Sequence, residues 1–154
     1  MFGTVCRLRP IIRRRQRLGP VVILQIGGND LCSKDADSVV NSLIDILFEI
    51  RQKPGVHQII FLELTHRVST RRFHLRMGTA SYNAAVNRVN TAMAAILAEF
   101  NSVGIYFWSH RERLMGINQL CTDGVHFSQL GMRNYWRSVR GAAICAIRRL
   151  RRGS

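Results

Sequence analysis

Val21-Val22-Ile23-Leu24-Gln25-Ile26-Gly27-Gly28-Asn29-Asp30 is the stretch that decides the fold. Its first six residues form a short, β-branched, nearly continuous apolar run, which predicts a strand buried on both faces and hence a parallel sheet. The next four are a turn signal. Adjacent glycines let the backbone turn sharply and approach a ligand closely, and Asn29 places an amide donor at the sheet's edge.

The same grammar repeats downstream. Asp35 or Asp37 caps a helix whose apolar positions Val39, Val40, Leu43, Leu47 and Ile50 fall at helical spacing, and Pro54-Gly55 ends it. Ile59–Leu64 is a second strand candidate. It is followed by a basic loop with Arg67, Arg71, Arg72 and Arg76 around Phe73 and His74. A helical pattern runs from near Ser81 to about Phe100, with Tyr82, Val86, Val89, Met93, Ile96, Leu97 and Phe100 on one face. Gly104–Trp108 gives a third strand. After a loop over Ser109–Phe127, Ser128 caps a last helix whose expected buried stripe is Tyr135, Val139, Ala142, Ala143, Ala146, Ile147 and Leu150. Alternating strands and helices predict an α/β domain with helices packed on a parallel sheet. In such sheets functional groups gather at the carboxyl ends of the strands. Those ends are Gly27–Asp30, Thr65–Gly78 and Ser109–Phe127.

The third of these segments holds a second motif, Asp123-Gly124-Val125-His126. An Asp three residues before a His can accept its Nδ1–H and so fix the tautomer that leaves Nε2 as a base. Alone, either motif is a common turn composition. Together they occur in order, each at a strand end, roughly 90 residues apart.

With these blocks the chain resembles the SGNH (GDSL-type) hydrolases, whose GxND segment follows a central strand and whose DxxH segment precedes the C-terminal helix. The YNAAVNRVN helix and the DGVHFS stretch are also similar to family sequence, and the resemblance covers about residues 20–150. It implies a three-layer α/β/α, flavodoxin-like domain that hydrolyses acyl esters without a metal or organic cofactor. It also implies roles: Asn29 donating to the oxyanion, Gly27 shaping that turn, His126 as general base and Asp123 orienting His126. Gly3 of F-G-T-V is the match to the family's backbone oxyanion glycine.

The family's G-D-S nucleophile block has no counterpart in this sequence, so the nucleophile is unknown. Cys32, Ser33, Ser109 and Ser128 are the substitutes near the motifs, and Ser128 is better explained as a helix cap. The expectation is a partial hydrolase domain over residues 21–152 whose first strand is missing. Residues 1–20 then form a basic segment left from the domain's upstream part. Loss of a central neighbour would expose the hydrogen-bonding ladder of Val21–Ile26.

Composition adds a second reading. The 154 residues are 47% hydrophobic, enough for a packed core. They carry 23 Lys+Arg against 9 Asp+Glu for a net charge of +14, and every basic residue except Lys34 and Lys53 is Arg. Such a field attracts polyanions, so a noncatalytic basic module with affinity for nucleic acid or other polyanions is the alternative to an ester-binding enzyme. The clusters at 7–17, 67–76, 133–140 and 148–152 would carry it, although no named nucleic-acid motif appears. Cys6, Cys32, Cys121 and Cys145 are scattered without metal-ligand or disulfide spacing. His57, His66, His74 and His110 read as loop or core-edge residues. No apolar run reaches the length of a membrane span, and no signal-peptide core precedes the arginines, which favours an intracellular location.

Overall fold

The structure is a computed structural model describing residues 3–68, 78–111 and 119–152. Arg71, Arg72, Phe73, His74 and Arg76 of the basic loop lie outside the described residues. Helix α1 (Val5–Arg14) leads to β1 (Val21–Leu24), α2 (Ala36–Arg51), β2 (Gln58–Leu62), α3 (Thr79–Ala98), β3 (Ile105–Trp108) and α4 (Gln129–Arg152). The three strands form one parallel sheet in the order β1-β2-β3, with Ile23 opposite Ile60 and Ile60 opposite Tyr106. Side chains alternate between two faces, as strand geometry requires. Val22 and Leu24 pack with α1, α2 and α3 in the larger core, which is built on Val39, Leu43, Leu47, Val86, Val89 and Met93. Val21 and Ile23 pack on the other side with Ile60, Leu62 and α4's Ala142 and Ala146. The result is the three-layer α/β/α arrangement expected from the sequence.

Four details differ from the sequence reading. Residues 5–14 are helical. Thr4 caps the helix by accepting from the Arg7 backbone N–H, and Val5, Leu8 and Ile12 turn toward the core at helical spacing. The first strand stops at Leu24, before Gln25 and Ile26, and the second at Leu62, before Glu63 and Leu64. β1 is half-buried along its length, whereas β2 is buried throughout. β2 lies between two strands, and β1 has β2 on one side with no strand on the other among the described residues. Finally, Ile147 is exposed and Tyr135 and Val139 are only half-buried, so α4's buried stripe is narrower than expected. A helix of 24 residues is about 36 Å long, against about 17 Å for a strand of 5, so α4 overhangs the sheet.

Asp35 caps α2 by accepting from the Ser38 backbone N–H at 2.8 Å, which settles the choice between Asp35 and Asp37. Ser128 accepts from the Gly131 N–H at 3.1 Å, as a residue preceding α4 should. No helix among the described residues is long and apolar enough to cross a membrane.

Candidate active site

The carboxyl ends of β1 and β2 and the approach to α4 enclose a cleft of about 340 Å³. Gly27, Asn29 and His126 all line it. The topology thus brings together two motifs that the sequence keeps far apart.

Gly27 has φ +114°, in the region that favours glycine. A Cβ there would also press on Leu43 and Val39 at 3.3–3.4 Å. The glycine therefore lets the chain leave β1 tightly over α2 and turn Asn29 toward the cleft. Asn29 Nδ2 donates to the Gly3 carbonyl at 3.2 Å, while its Oδ1 accepts from Arg67 Nη2 at 2.6 Å. An amide oxygen committed to a guanidinium points its nitrogen the other way. Gly3 lines the same cleft, so the residue matched to the family's oxyanion glycine is adjacent to Asn29.

At the other wall, Asp123 Oδ1 accepts from the backbone N–H groups of Val125 and His126 at 2.9 and 3.0 Å. Its Oδ2 lies 2.5 Å from His126 Nδ1. The His126 hydrogen bond, followed by the two backbone bonds, holds the Asp123 carboxyl well below the usual carboxylate range. A carboxylate can only accept, so Nδ1 carries the proton and Nε2 is the lone-pair nitrogen of the neutral ring. An imidazole so held can take a proton from a hydroxyl and return it to a leaving group.

The substitute nucleophiles are engaged elsewhere. Ser33 Oγ reaches the Asp30 carbonyl at 3.4 Å, Ser109 Oγ donates to Glu63 Oε2 at 3.1 Å, and Ser128 caps α4. Cys32 Sγ lies 3.5 Å from Arg67 Nη1. None of the four lines the cleft, whereas Thr65 does. Among the described residues no three His, Cys, Asp or Glu side chains converge as a metal site.

Sequence reasoning missed Arg67 and Tyr82 as parts of this site. Arg67 read as one arginine in a basic loop, yet it is only 7% exposed. Its guanidinium lies 4.5 Å from the Tyr82 ring centroid, and its backbone N–H and carbonyl are both bonded to Asn83, at 2.9 and 2.7 Å. Tyr82 read as core, and it is buried, but its hydroxyl also donates to the Gly28 carbonyl at 2.9 Å. Burial pushes that phenol up to about 12, so it stays a donor. The Val68 N–H donates to the Gly124 carbonyl at 2.9 Å and ties this segment to the DxxH turn. An exposed-looking arginine beside an Asn-bearing helix was the available signal, and it is a weak one.

The family model for GDSL-like lipases and acylhydrolases matches residues 12–135. The chain belongs to the GDSL-like lipase/acylhydrolase family. This GDSL-like hydrolase domain is similar in fold to a Bacteroides ovatus protein termed a GDSL-like lipase, with TM-score 0.60 and 20% identity over 84% of this chain. The match covers 36% of that protein, so the present chain spans about a third of its length. A catalytic mutant of an acetylxylan esterase from Geobacillus stearothermophilus also matches, with TM-score 0.49, 18% identity, 89% of this chain and 68% of that one. No curated protein matches the sequence.

Proposed function

We propose that this GDSL-like domain carries the oxyanion donor and the acid–base dyad of an acyl ester hydrolase. The observation that supports this most directly is the shared cleft: Asn29 and His126 line it together, with Asp123 2.5 Å behind His126. An ester carbonyl in the cleft would direct its oxygen to Asn29 Nδ2. His126 would take the proton of an attacking hydroxyl through Nε2 as the tetrahedral oxyanion forms, and would then deliver it to the leaving alkoxide. Asp123 would hold the ring and favour the imidazolium. An oxyanion donor of this kind contributes ~10²–10³ in rate.

The same reading sets the level of activity. The sequence has no G-D-S block, and Ser33, Ser109 and Cys32 have other partners. Without a positioned nucleophile only the residual catalysis of oxyanion and base remains, ~10³–10⁴ over water at most. Hydrolysis of 4-nitrophenyl acetate by the purified chain should be weak or absent, and any rate above buffer should vanish in His126→Ala and Asn29→Ala. A rate that survives both substitutions removes Asn29 and His126 from the chemistry. Turnover of ordinary esterase size would contradict the missing nucleophile.

A further inference from the structure

We infer that the outer face of α4 binds single-stranded nucleic acid, with Trp136 as the platform on which a base stacks. Trp136 is 60% exposed, a large aromatic ring left in water on a helix whose fully buried residues are Gly131, Ala142 and Ala146. A groove of about 410 Å³ runs past it, lined by Gln129, Met132, Arg133, Trp136, Arg137 and Arg140. From Gln129 to Arg152 the helix holds no Asp or Glu. Ion pairs formed elsewhere, Arg9 and Arg13 with Glu49 and Arg88 with Asp37, leave these groove arginines aside. Among the described residues no carboxylate pairs with Arg133, Arg137 or Arg140.

The arrangement selects the partner. Arg133 and Arg140 stand one turn before and after Trp136 on the same side of the helix, and Arg137 is its neighbour. Continuing along that side come Ile144, Ile147 and Arg151, so apolar and cationic residues interleave. A helix that enters a lipid surface segregates them, because the apolar face goes into the acyl layer while the cations stay at the headgroups. Here Trp136 could not enter without carrying guanidiniums with it. Interleaving suits a flexible polyanion whose bases lie against the aromatic while its phosphates meet the flanking guanidiniums. Met132 lines both this groove and the catalytic cleft, so a bound strand would pass the cleft's rim. The inference does not depend on the hydrolase reading.

The test is fluorescence anisotropy of a short labelled oligothymidylate titrated with the whole chain at several salt concentrations. Binding should weaken steeply with salt. Trp136→Ala should reduce affinity about fivefold or more. Changing Arg133, Arg137 and Arg140 together to Gln should lower the log–log salt slope by about two. The exposed arginines Arg14, Arg15 and Arg17, changed together to Gln, remove the same charge, and that variant should bind within about threefold of wild type. The proposal is overturned by no binding, by equal loss in the two triple variants, or by an unchanged Trp136→Ala affinity. It is also overturned if phosphatidylserine vesicles bind and oligothymidylate does not displace them, which would make the face a lipid-docking surface.

Discussion

Arg67 donates from Nη2 to Asn29 Oδ1 at 2.6 Å, and this bond sets which way the Asn29 amide faces. Both residues line the cleft, but they come from different strand ends. Arg67 is itself fixed by Asn83 and stacked on Tyr82, so Asn29 is oriented by a side chain with little freedom of its own.

Arg67→Met should therefore move the Asn29 side-chain amide signals in a ¹⁵N-correlated NMR spectrum. It should also lower stability by about 1–3 kcal/mol, because a half-buried acceptor loses its charged partner. Arg67→Lys should restore part of both. Asn29 signals unmoved in the Met variant would show that the amide is oriented by the Gly3 carbonyl alone.

Asp123 Oδ2 lies 2.5 Å from His126 Nδ1, a contact that should fix where the ring carries its proton. In the wild-type chain the uncharged ring should hold its proton on Nδ1, and Asp123→Ala should give a mixture of tautomers. The same variant frees the Val125 and His126 amides, whose exchange with solvent should quicken. An unchanged tautomer would assign the orientation of His126 to another group.

A pH effect on stability arises away from the cleft. His110 is 2% exposed. Its Nδ1 lies 2.7 Å from Ser138 Oγ, which also accepts from Trp108 Nε1 at 2.9 Å, and its backbone N–H donates to Glu63. Burial pushes the ring down to about 4. The unfolded chain then binds a proton near pH 6.5 that the folded chain refuses until about 4. Folding is unpenalised above 6.5 and loses stability as pH falls through that window, by about 3 kcal/mol in all. Urea midpoints at pH 7.5 and 4.5 should differ more in wild type than in His110→Gln. Equal differences would count against a buried neutral ring.

Gly131 is a packing requirement of the loop that carries Asp123. A Cβ there would stand 1.9 Å from the Gln119 carbonyl oxygen. Gly131→Ala should cost about 1–3 kcal/mol or displace the segment that pairs Leu120 with Phe127. Spectral changes confined to residues near 119–128 would be the signature. A variant as stable as wild type, with those signals in place, would mean the loop yields freely.

The three strands and the DxxH turn were legible because each rests on local pattern: apolar runs of strand length, and an Asp and a His three residues apart. That Asn29 and Gly27 would stand together at a strand end was legible because they follow a strand-length apolar run, and sequence pattern reaches no further than that placement. Arg67 was not, since the contact with Asn29 joins two strand ends and only the sheet's order makes them neighbours. α1 was hidden by its arginines and by Pro10, although Val5, Leu8 and Ile12 already stood at helical spacing. Ile147 was assigned to the buried stripe because periodicity marks the face of a helix and says nothing of where the sheet beneath it ends.

β1 is half-buried and, among the described residues, has β2 on one side and no strand on the other, so ionic strength should act on this molecule in two opposite ways. An apolar strand without a second strand neighbour would invite a second copy to add to it, while a net charge of +14 keeps copies apart. Added salt shortens the reach of that repulsion to a few ångströms and leaves the strand's attraction intact. The same buffer that strips an anionic polymer from α4 should therefore drive the chain onto itself, and light scattering should rise where anisotropy falls.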